Sequence, residues 1–472
     1  MGLAMTGRLG LGAALLAALG CASPEPAELD PQKSEAEFRA RSLEDAGLGR
    51  FIDANRGKTP GSSGPQRWDL GTLTLVALYF HPDLDLARAR LTQAQAGRVT
   101  AGMWPNPVVG IELSKVANVE PGFKPWIYGA NLSIPIDTLW KRGYKIEEAD
   151  RTSEAAALTL AETGWRVRGR VRSALADHLL SVRELALRKE EAAARSKVVD
   201  GLERKLALGD IFRLDVDIAQ GDLLATRLLI HTAEGKVAET RAALAAAVGL
   251  PGSALRGIPL AWAELDSPPP LDALGGEPAL APALQGRLDL RALLAEYGAA
   301  VAGLRHEMAA RYPDVSLGPG YTYDQGQKKF NLGLQITLPL LNQNDGPVAE
   351  AEARRKEVAA RFAVAQAAAI AELETALERY RAALAELEEA GKTLDLLRAR
   401  DRAGRRAVEL GDLEPTALLG TRLELVKAEQ SRVDSLRHAE DALGSLEDAV
   451  QRPLGSRAGS AAPLDRNPRE GD

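Results

Sequence analysis

One cysteine, Cys21, stands in a chain of 472 residues, so no disulfide can close within the chain and no thiolate cluster can hold zinc. Aromatic side chains are also scarce, at 4% against 45% for all hydrophobic residues. Alanine and leucine must supply most of the apolar surface, a balance that suits long helical packing better than a large globular core. Basic charge is not in excess either: the net charge is -6, it is spread along the chain, and no basic patch carries interleaved aromatics, which excludes a dedicated nucleic-acid surface. The five histidines, His81, His178, His231, His306 and His438, show no ligand spacing such as i, i+4 on one helix. Phosphate-binding glycine loops, nucleophile elbows and paired catalytic carboxylates are missing too. The chain is therefore read as non-enzymatic, with no cofactor and no bound metal.

Long hydrophobic runs are missing as well. The apolar stretch from Leu9 to Leu19, preceded by Arg8, is too short to span a bilayer and reads as a secretory signal over residues 1–20. Cys21 follows Ala18-Leu19-Gly20, which resembles the lipobox of bacterial lipoproteins, although the usual upstream leucine stands one place late. Lipidation there would add about 0.8 kcal/mol per buried methylene and tether the chain without spanning the membrane. Residues 21–70 read as a mostly irregular N-terminal extension and 453–472 as a disordered tail. A Pro/Gly-rich stretch, 251–285, includes Pro268-Pro269-Pro270 and divides the chain into halves.

Those halves match in order. Trp104-Pro105 is echoed by Tyr312-Pro313 (313 − 105 = 208), Leu132-Ser133-Ile134-Pro135 by Ile336-Thr337-Leu338-Pro339 (339 − 135 = 204), and Leu208-Gly209-Asp210 by Leu410-Gly411-Asp412 (411 − 209 = 202). Nearly constant spacing of three ordered landmarks marks a duplication: 71–250 and 286–452 each read as helix, strand, strand, long helix, turn, helix.

The expected strands, about 107–117, 126–137, 314–324 and 329–340, alternate with a period of two. Val109, Ile111 and Leu113 alternate with Gly110, Glu112 and Ser114, and Leu132 and Ile134 with Asn131 and Ser133. Tyr321 and Tyr323 alternate with Gly320 and Thr322, and Leu332, Leu334 and Ile336 with Asn331, Gln335 and Thr337. A soluble sheet would carry Lys and Glu on its wet side. Here that side is mostly Gly, Ser, Thr, Asn and Gln, with Glu112 read as its only acid, and the pattern matches a transmembrane barrel. Trp104, Trp126, Tyr128, Tyr312, Tyr321, Tyr323 and Phe330 suit its interfacial girdles.

Helical hairpins are expected at 141–249 and 346–450. Ile370, Leu373, Leu377, Tyr380, Leu384, Leu387 and Leu394, and in the first half Val171, Leu175, Leu179 and Val182, keep the 3-4 spacing of a coiled-coil seam. Four strands cannot close a barrel, and open edges are not tolerated in lipid. Eight strands from a dimer would be filled by side chains, whereas twelve from a trimer, at a spacing of about 4.8 Å and a tilt near 40°, enclose a tube roughly 24 Å across. The fold class is thus mainly α with a transmembrane β-barrel, built by a homotrimer.

This order of elements, with its duplication and two Gly-Asp tips, resembles the outer membrane factor family, the TolC-like efflux channels, over nearly the whole mature chain. Leu338-Pro339-Leu340-Leu341-Asn342-Gln343-Asn344-Asp345-Gly346 and Ile134-Pro135-Ile136 followed by Lys141-Arg142-Gly143 look like the strand-to-helix passages of its heavy-metal-resistance branch. The resemblance implies a passive exit duct of a tripartite efflux system in the outer membrane of a Gram-negative bacterium, with its helical part in the periplasm. Its partners would be outer-membrane lipid, a periplasmic adaptor (membrane fusion) protein docked at Gly209, Asp210, Gly411 and Asp412, and an inner-membrane efflux pump. It also implies a periplasmic gate of acidic residues after the tip, here Asp215 and Asp217. The second half departs from that pattern, with Ala417 and Gly420 at the matching positions. Glu112, Ser114, Asn131, Ser133, Thr322, Asn331, Gln335 and Thr337 would line the pore. A periplasmic coiled-coil adaptor or scaffold lipoprotein fits the signal, heptads and tips equally well, but it needs no lipid-facing strand pair repeated twice.

Overall fold

Two proline-poor stretches rich in alanine, leucine, glutamate and arginine fold as the longest helices of the protein. The computed structural model describes residues 28–55, 68–120, 122–136, 138–274, 281–412 and 414–454. It divides into two units, 1–41 and 42–472. The first contains helix α1 (Pro31–Ala40), started by Asp30, whose carboxylate accepts the Gln32 N–H at 2.9 Å. The second contains α2 (Ala46–Asn55), α3 (Leu70–Phe80), α4 (Pro82–Gly102), β1 (Val108–Lys115), β2 (Trp126–Pro135), α5 (Thr138–Leu208), α6 (Arg213–Val248), α7 (Leu288–Ala309), β3 (Asp314–Asp324), β4 (Gln327–Thr337), α8 (Asp345–Leu410) and α9 (Pro415–Val450). At 1.5 Å per residue α5 and α8 run for about 105 and 100 Å.

The duplication is visible element by element: α4-β1-β2-α5-α6 is repeated as α7-β3-β4-α8-α9. The expected strands are each found, with β2 and β4 ending at or just before their prolines, Pro135 and Pro339. Among its described residues the N-terminal extension is largely helical and not irregular, because α1 has its Asp30 cap and α2 buries Leu48 and Ile52. Cys21, the signal and residues 455–472 lie outside the described residues.

The core lies in the helical part, where Leu73, Val76 and Leu84 from α3 and α4 pack with Val167, Val171 and Leu175 from α5, Leu244 and Val248 from α6, and Leu436 from α9. A second cluster joins Leu373, Leu377 and Tyr380 of α8 to Ala439, Leu443 and Leu446 of α9. The seam holds only in part. Val182 and Ile370 are exposed, while Leu180, outside the expected stripe, is buried. A single stripe suits a single partner, and α5 meets α4, α6, α7 and α9 in turn, so its apolar residues leave one face.

The 251–285 segment is built into this body. Its short 3-10 turns bury Leu255, Leu265 and Leu274, Trp262 joins the main core, and the Pro269 carbonyl accepts the buried Tyr380 hydroxyl at 2.5 Å. Among the described residues no helix is long and apolar enough to cross a membrane, which leaves open a barrel of short alternating strands.

Candidate pore face and helical tips

The four strands form one antiparallel sheet in the order β1-β2-β3-β4. Directly opposed residues of an antiparallel pair share a face, and a slip of one residue would turn a whole strand over. Glu112 lies opposite Gly129, Gly129 opposite Thr322, and Thr322 opposite Lys329. The next row is Gly110, Asn131, Gly320, Asn331. All eight expected pore residues, Glu112, Ser114, Asn131, Ser133, Thr322, Asn331, Gln335 and Thr337, therefore fall on the same face. The register between β2 and β3 keeps the two halves in phase. Glycine makes room in that second row, because the Asn131 side chain fills the space a Cβ on Gly110 would need.

Glu112 is not the only acid there. The register adds Asp314 and Asp324, since the ends of β3 share its parity. Lys141 holds Asp314 at 2.7 Å, and Lys329 holds Asp324 at 2.6 Å.

On the opposite face lie Val109, Ile111, Leu113, Leu132, Ile134, Leu332, Leu334 and Ile336. Toward the end of the sheet remote from the helices this face carries Trp126, Tyr128, Tyr321, Tyr323 and Phe330, with Tyr128 stacked on Tyr323 at 4.7 Å and Tyr321 against Phe330 at 5.2 Å. Trp104 and Tyr312 mark the helical end, where Arg142 lies over the Trp104 ring at 4.5 Å. Tyr312 and Tyr321 are separated by about 30 Å of extended chain, which at a 40–45° tilt corresponds to an apolar band of roughly 21–23 Å. No strand residue is buried, and Ile111 and Phe330 on the two edge strands are 83% and 84% exposed.

At the other end of the long helices the two tips are copies of each other. Gly209 and Gly411 take φ 82° and 83°, the left-handed conformation that glycine adopts without a Cβ penalty. The next N–H, of Asp210 or Asp412, donates to the carbonyl five residues earlier, of Lys205 at 3.0 Å or Ala407 at 2.8 Å, closing each helix by the Schellman arrangement. Lys205 then reaches Glu414 at 2.8 Å and joins the tips. Leu208, Phe212, Leu214 and Leu410 around them are all exposed.

Asp215 and Asp217 both sit in the opening turns of α6. The Asp215 carboxylate accepts the Phe212 N–H at 3.0 Å, and Asp217 pairs with Arg213 at 2.9 Å. Asp215 thus has a local role in starting the helix, and Asp217 in pairing across its first turn.

Sequence reasoning missed a buried charge cluster between α5 and α9. Arg168 pairs with Glu447 at 2.9 Å, Arg172 donates to the Glu440 carbonyl at 2.9 Å, and Trp165 donates to Asp448 at 3.0 Å. Burial lowers the Arg172 pKa against the pull of Glu447 and Glu440, and burial also raises that of Asp448. The Arg172 guanidinium occupies the space a Cβ on Gly444 would need. In the sequence these residues belong to a row of arginines, Arg166, Arg168, Arg170 and Arg172, and to a set of acids, Glu440, Asp441, Glu447 and Asp448. Of the arginines only Arg168 and Arg172 enter the cluster, while Arg166 pairs with Glu162 and Arg170 with Asp83. Among the described residues no group of three His, Cys, Asp or Glu is placed to hold a metal ion.

Comparison with known proteins matches a family model described as outer membrane efflux protein to residues 76–250 and 279–450. The cobalt-zinc-cadmium resistance protein CzcC of Cupriavidus metallidurans is 27% identical over 270 residues, covering 56% of this chain and 61% of that protein. In structure the chain is similar to the outer-membrane channel OprN, with a TM-score of 0.64 at 19% identity over 90% of this chain and 95% of that one. It is also similar to the outer membrane protein VceC of Vibrio cholerae, with a TM-score of 0.62 at 20% identity over 81% and 95%.

Proposed function

Because the chain belongs to the outer membrane efflux protein family, we propose that it is the exit duct of a tripartite efflux system: a homotrimer whose strands close into a twelve-stranded barrel and whose long helices continue the passage into the periplasm. One observation carries this reading. The sheet has an apolar face and a small polar face in phase across both halves, buries neither, and leaves β1 and β4 unpaired at its edges. In lipid such edges must be paired, and a second and third copy supply the missing partners.

The residues then take their roles by position. Glu112, Ser114, Asn131, Ser133, Thr322, Asn331, Gln335 and Thr337 line the pore. Glu112, the strand-face acid with no lysine against it, biases the pore toward cations. The tips at Gly209, Asp210, Gly411 and Asp412, with their exposed leucines and Phe212, dock onto a periplasmic adaptor, and an inner-membrane pump supplies the energy. Asp215 and Asp217, three copies of each, narrow the periplasmic mouth as a negative ring. Cys21 carries a lipid anchor at the outer membrane. Metal cations are the proposed substrate class, supported by the similarity to a cobalt-zinc-cadmium resistance protein and by the acid in the lumen.

Purified protein in planar bilayers tests the reading. Open, cation-preferring conductance from heat-modifiable trimers is expected, and a well-behaved, detergent-free monomer with no conductance would overturn it. Replacing Asp215 and Asp217 together by Ala should raise conductance; unchanged conductance and selectivity remove the gate from the model.

A further inference from the structure

The trimer reading leaves open how neighbouring copies register, and here the duplication itself supplies a template. We infer that β4 of one copy pairs antiparallel with β1 of the next so that Gln335 lies opposite Glu112 of the neighbour. The inference rests on the channel reading and adds the register to it.

The argument starts from the junction between halves, where β2 pairs with β3 and Pro135 lies opposite Ser316. The junction between copies joins the end of a second half to the start of a first, so it repeats that arrangement. Pro135 corresponds to Pro339, and Ser316 corresponds to Val108 through the Trp104-Pro105 and Tyr312-Pro313 landmark (316 − 208 = 108). Pro339 therefore meets Val108 of the next copy. Stepping along the antiparallel pair places Thr337 opposite Gly110, Gln335 opposite Glu112 and Gly333 opposite Ser114 on the polar face. On the other face Leu338 meets Val109, Ile336 meets Ile111 and Leu334 meets Leu113. Each of these polar residues finds a polar or glycine partner and each of these apolar residues an apolar one, with Lys115 meeting Leu332 one step further at the strand end, and all six of these apolar side chains are exposed in the single chain.

Barrel closure checks this register independently. A straight path across the sheet leads from Glu112 through Gly129 and Thr322 to Lys329. At the inferred junction Lys329 faces position 118 of the neighbour, so one copy advances the path by six residues (118 − 112 = 6). Three copies advance it by eighteen. With a rise of about 3.3 Å and a spacing of about 4.8 Å over twelve strands, that stagger tilts the strands by about 46°, just above the 35–45° usual in barrels. Charge alone would suggest a different register, with Lys329 opposite Glu112. That pairing has no stagger, so the strands would stand upright, which barrel geometry does not allow. The halves themselves differ by one two-residue step, since the landmarks would set Gly333 opposite Gly320 whereas the sheet pairs it with Gly318. Carried into the junction, such a step would put Glu112 opposite Gly333, advancing the path by about four residues per copy and tilting the strands by about 35°, so closure rules out the upright register and the crosslinks decide between the other two.

Paired cysteines separate these registers, because opposed Cα atoms about 4.5–5.5 Å apart lie within disulfide reach. Full-length protein carrying Glu112→Cys with Gln335→Cys, oxidised in outer-membrane vesicles, should give disulfide-linked trimers on a non-reducing gel. Ser114→Cys with Gly333→Cys provides a second pair for the same register, in case the first variant does not assemble. Glu112→Cys with Gly333→Cys, Glu112→Cys with Lys329→Cys, and each single variant should remain monomeric on that gel. The single variants also report any linkage through Cys21. Efficient linkage of Glu112→Cys to Gly333→Cys or Lys329→Cys, or none in either expected pair despite heat-modifiable trimers, overturns the register and leaves the channel standing. Absence of trimers in the unsubstituted protein would overturn the channel reading, and the register with it.

Discussion

The sheet and the helical body of this chain solve the same problem in opposite ways. Where α5 crosses α9, the protein buries charge completely: Glu440 and Glu447 are 1% and 0% exposed, and the cluster is satisfied from within one chain. In the sheet not one residue is buried, and leucines and isoleucines stand in the open. The hydrophobic effect favours removing such surface from water by about 25 cal/mol per Å², so the sheet is complete only with a solvent of its own, lipid on one side and water on the other, and with neighbours at its edges. One region is finished by folding, the other by assembly.

The sharpest way to break that contrast is inside the body. Glu447→Ala removes the partner of Arg168, the acceptor of the Leu454 N–H at 2.9 Å and a neighbour of Arg172. Removing one side of a buried pair costs about 3–5 kcal/mol, and helical circular dichroism during urea unfolding should show the loss even in protein that has not assembled. Gly444→Ala drives a methyl group into the Arg172 guanidinium and should behave similarly. Leu332→Lys, in the middle of β4, tests the other side of the contrast. A lysine facing the bilayer midplane costs about 2–4 kcal/mol in a barrel, so trimers in the outer-membrane fraction should fall while the helical signal of the single chain remains. If Leu332→Lys unfolds the helices as well, the two regions are not independent.

This division also governs how much of the molecule was legible in the sequence. The strands and tips could be read because period-two alternation and a glycine at a left-handed position are local signals, and the repeat displayed each one twice. Even the common face of Glu112, Asn131, Thr322 and Asn331 follows from alternation once the register is known. The buried cluster was not legible, because its partners lie more than 260 residues apart in the chain, as with Arg172 and Glu440, and a row of arginines on a long helix resembles any solvated face. Val182 and Ile370 misled for a related reason: heptad spacing assumes one partner, whereas α5 has several and α8 meets both α7 and α9. The extension before α3 was read by composition alone, which hid the capping Asp30 and the buried pair Leu48 and Ile52. Asp215 and Asp217 stand between these cases, since their positions were plain, but one chain shows only their local bonds and not the ring that three copies would form.

The tips sharpen the comparison at a smaller scale, because they belong to the body and are proposed to serve assembly. Gly209 and Gly411 have the same φ within a degree, so Gly209→Ala and Gly411→Ala should each cost about 1–2 kcal/mol, the penalty of a Cβ in the left-handed region. The two changes should couple and not simply add, since Lys205 accepts the Asp210 N–H at one tip and pairs with Glu414 at the other. Differential scanning calorimetry of the single and double variants measures both values, and a markedly larger cost at one tip would mean that the duplicated geometry conceals different surroundings.

The smallest effect expected is one of pH, at His178 on α5, whose Nδ1 lies 3.2 Å from the Thr240 hydroxyl of α6. Burial first, and then the charge of Arg241, lower its pKa below the usual 6.5. The folded hairpin thus prefers the neutral ring, whereas the unfolded chain accepts a proton near pH 6.5. A lowered folded pKa contributes stability that is fully present above 6.5 and is lost as pH falls through the folded value. His178→Gln keeps a polar side chain near Thr240 and cannot titrate, so the melting temperatures of wild type and variant should diverge least in acid, with the wild type losing its advantage as pH drops from 7 toward 5. The sheet has no histidine, so acid should loosen the body by this route and leave the proposed trimer contacts at β1 and β4 untouched. Loss of trimers over the same pH range in the His178→Gln variant would place the sensitive group in the seam instead.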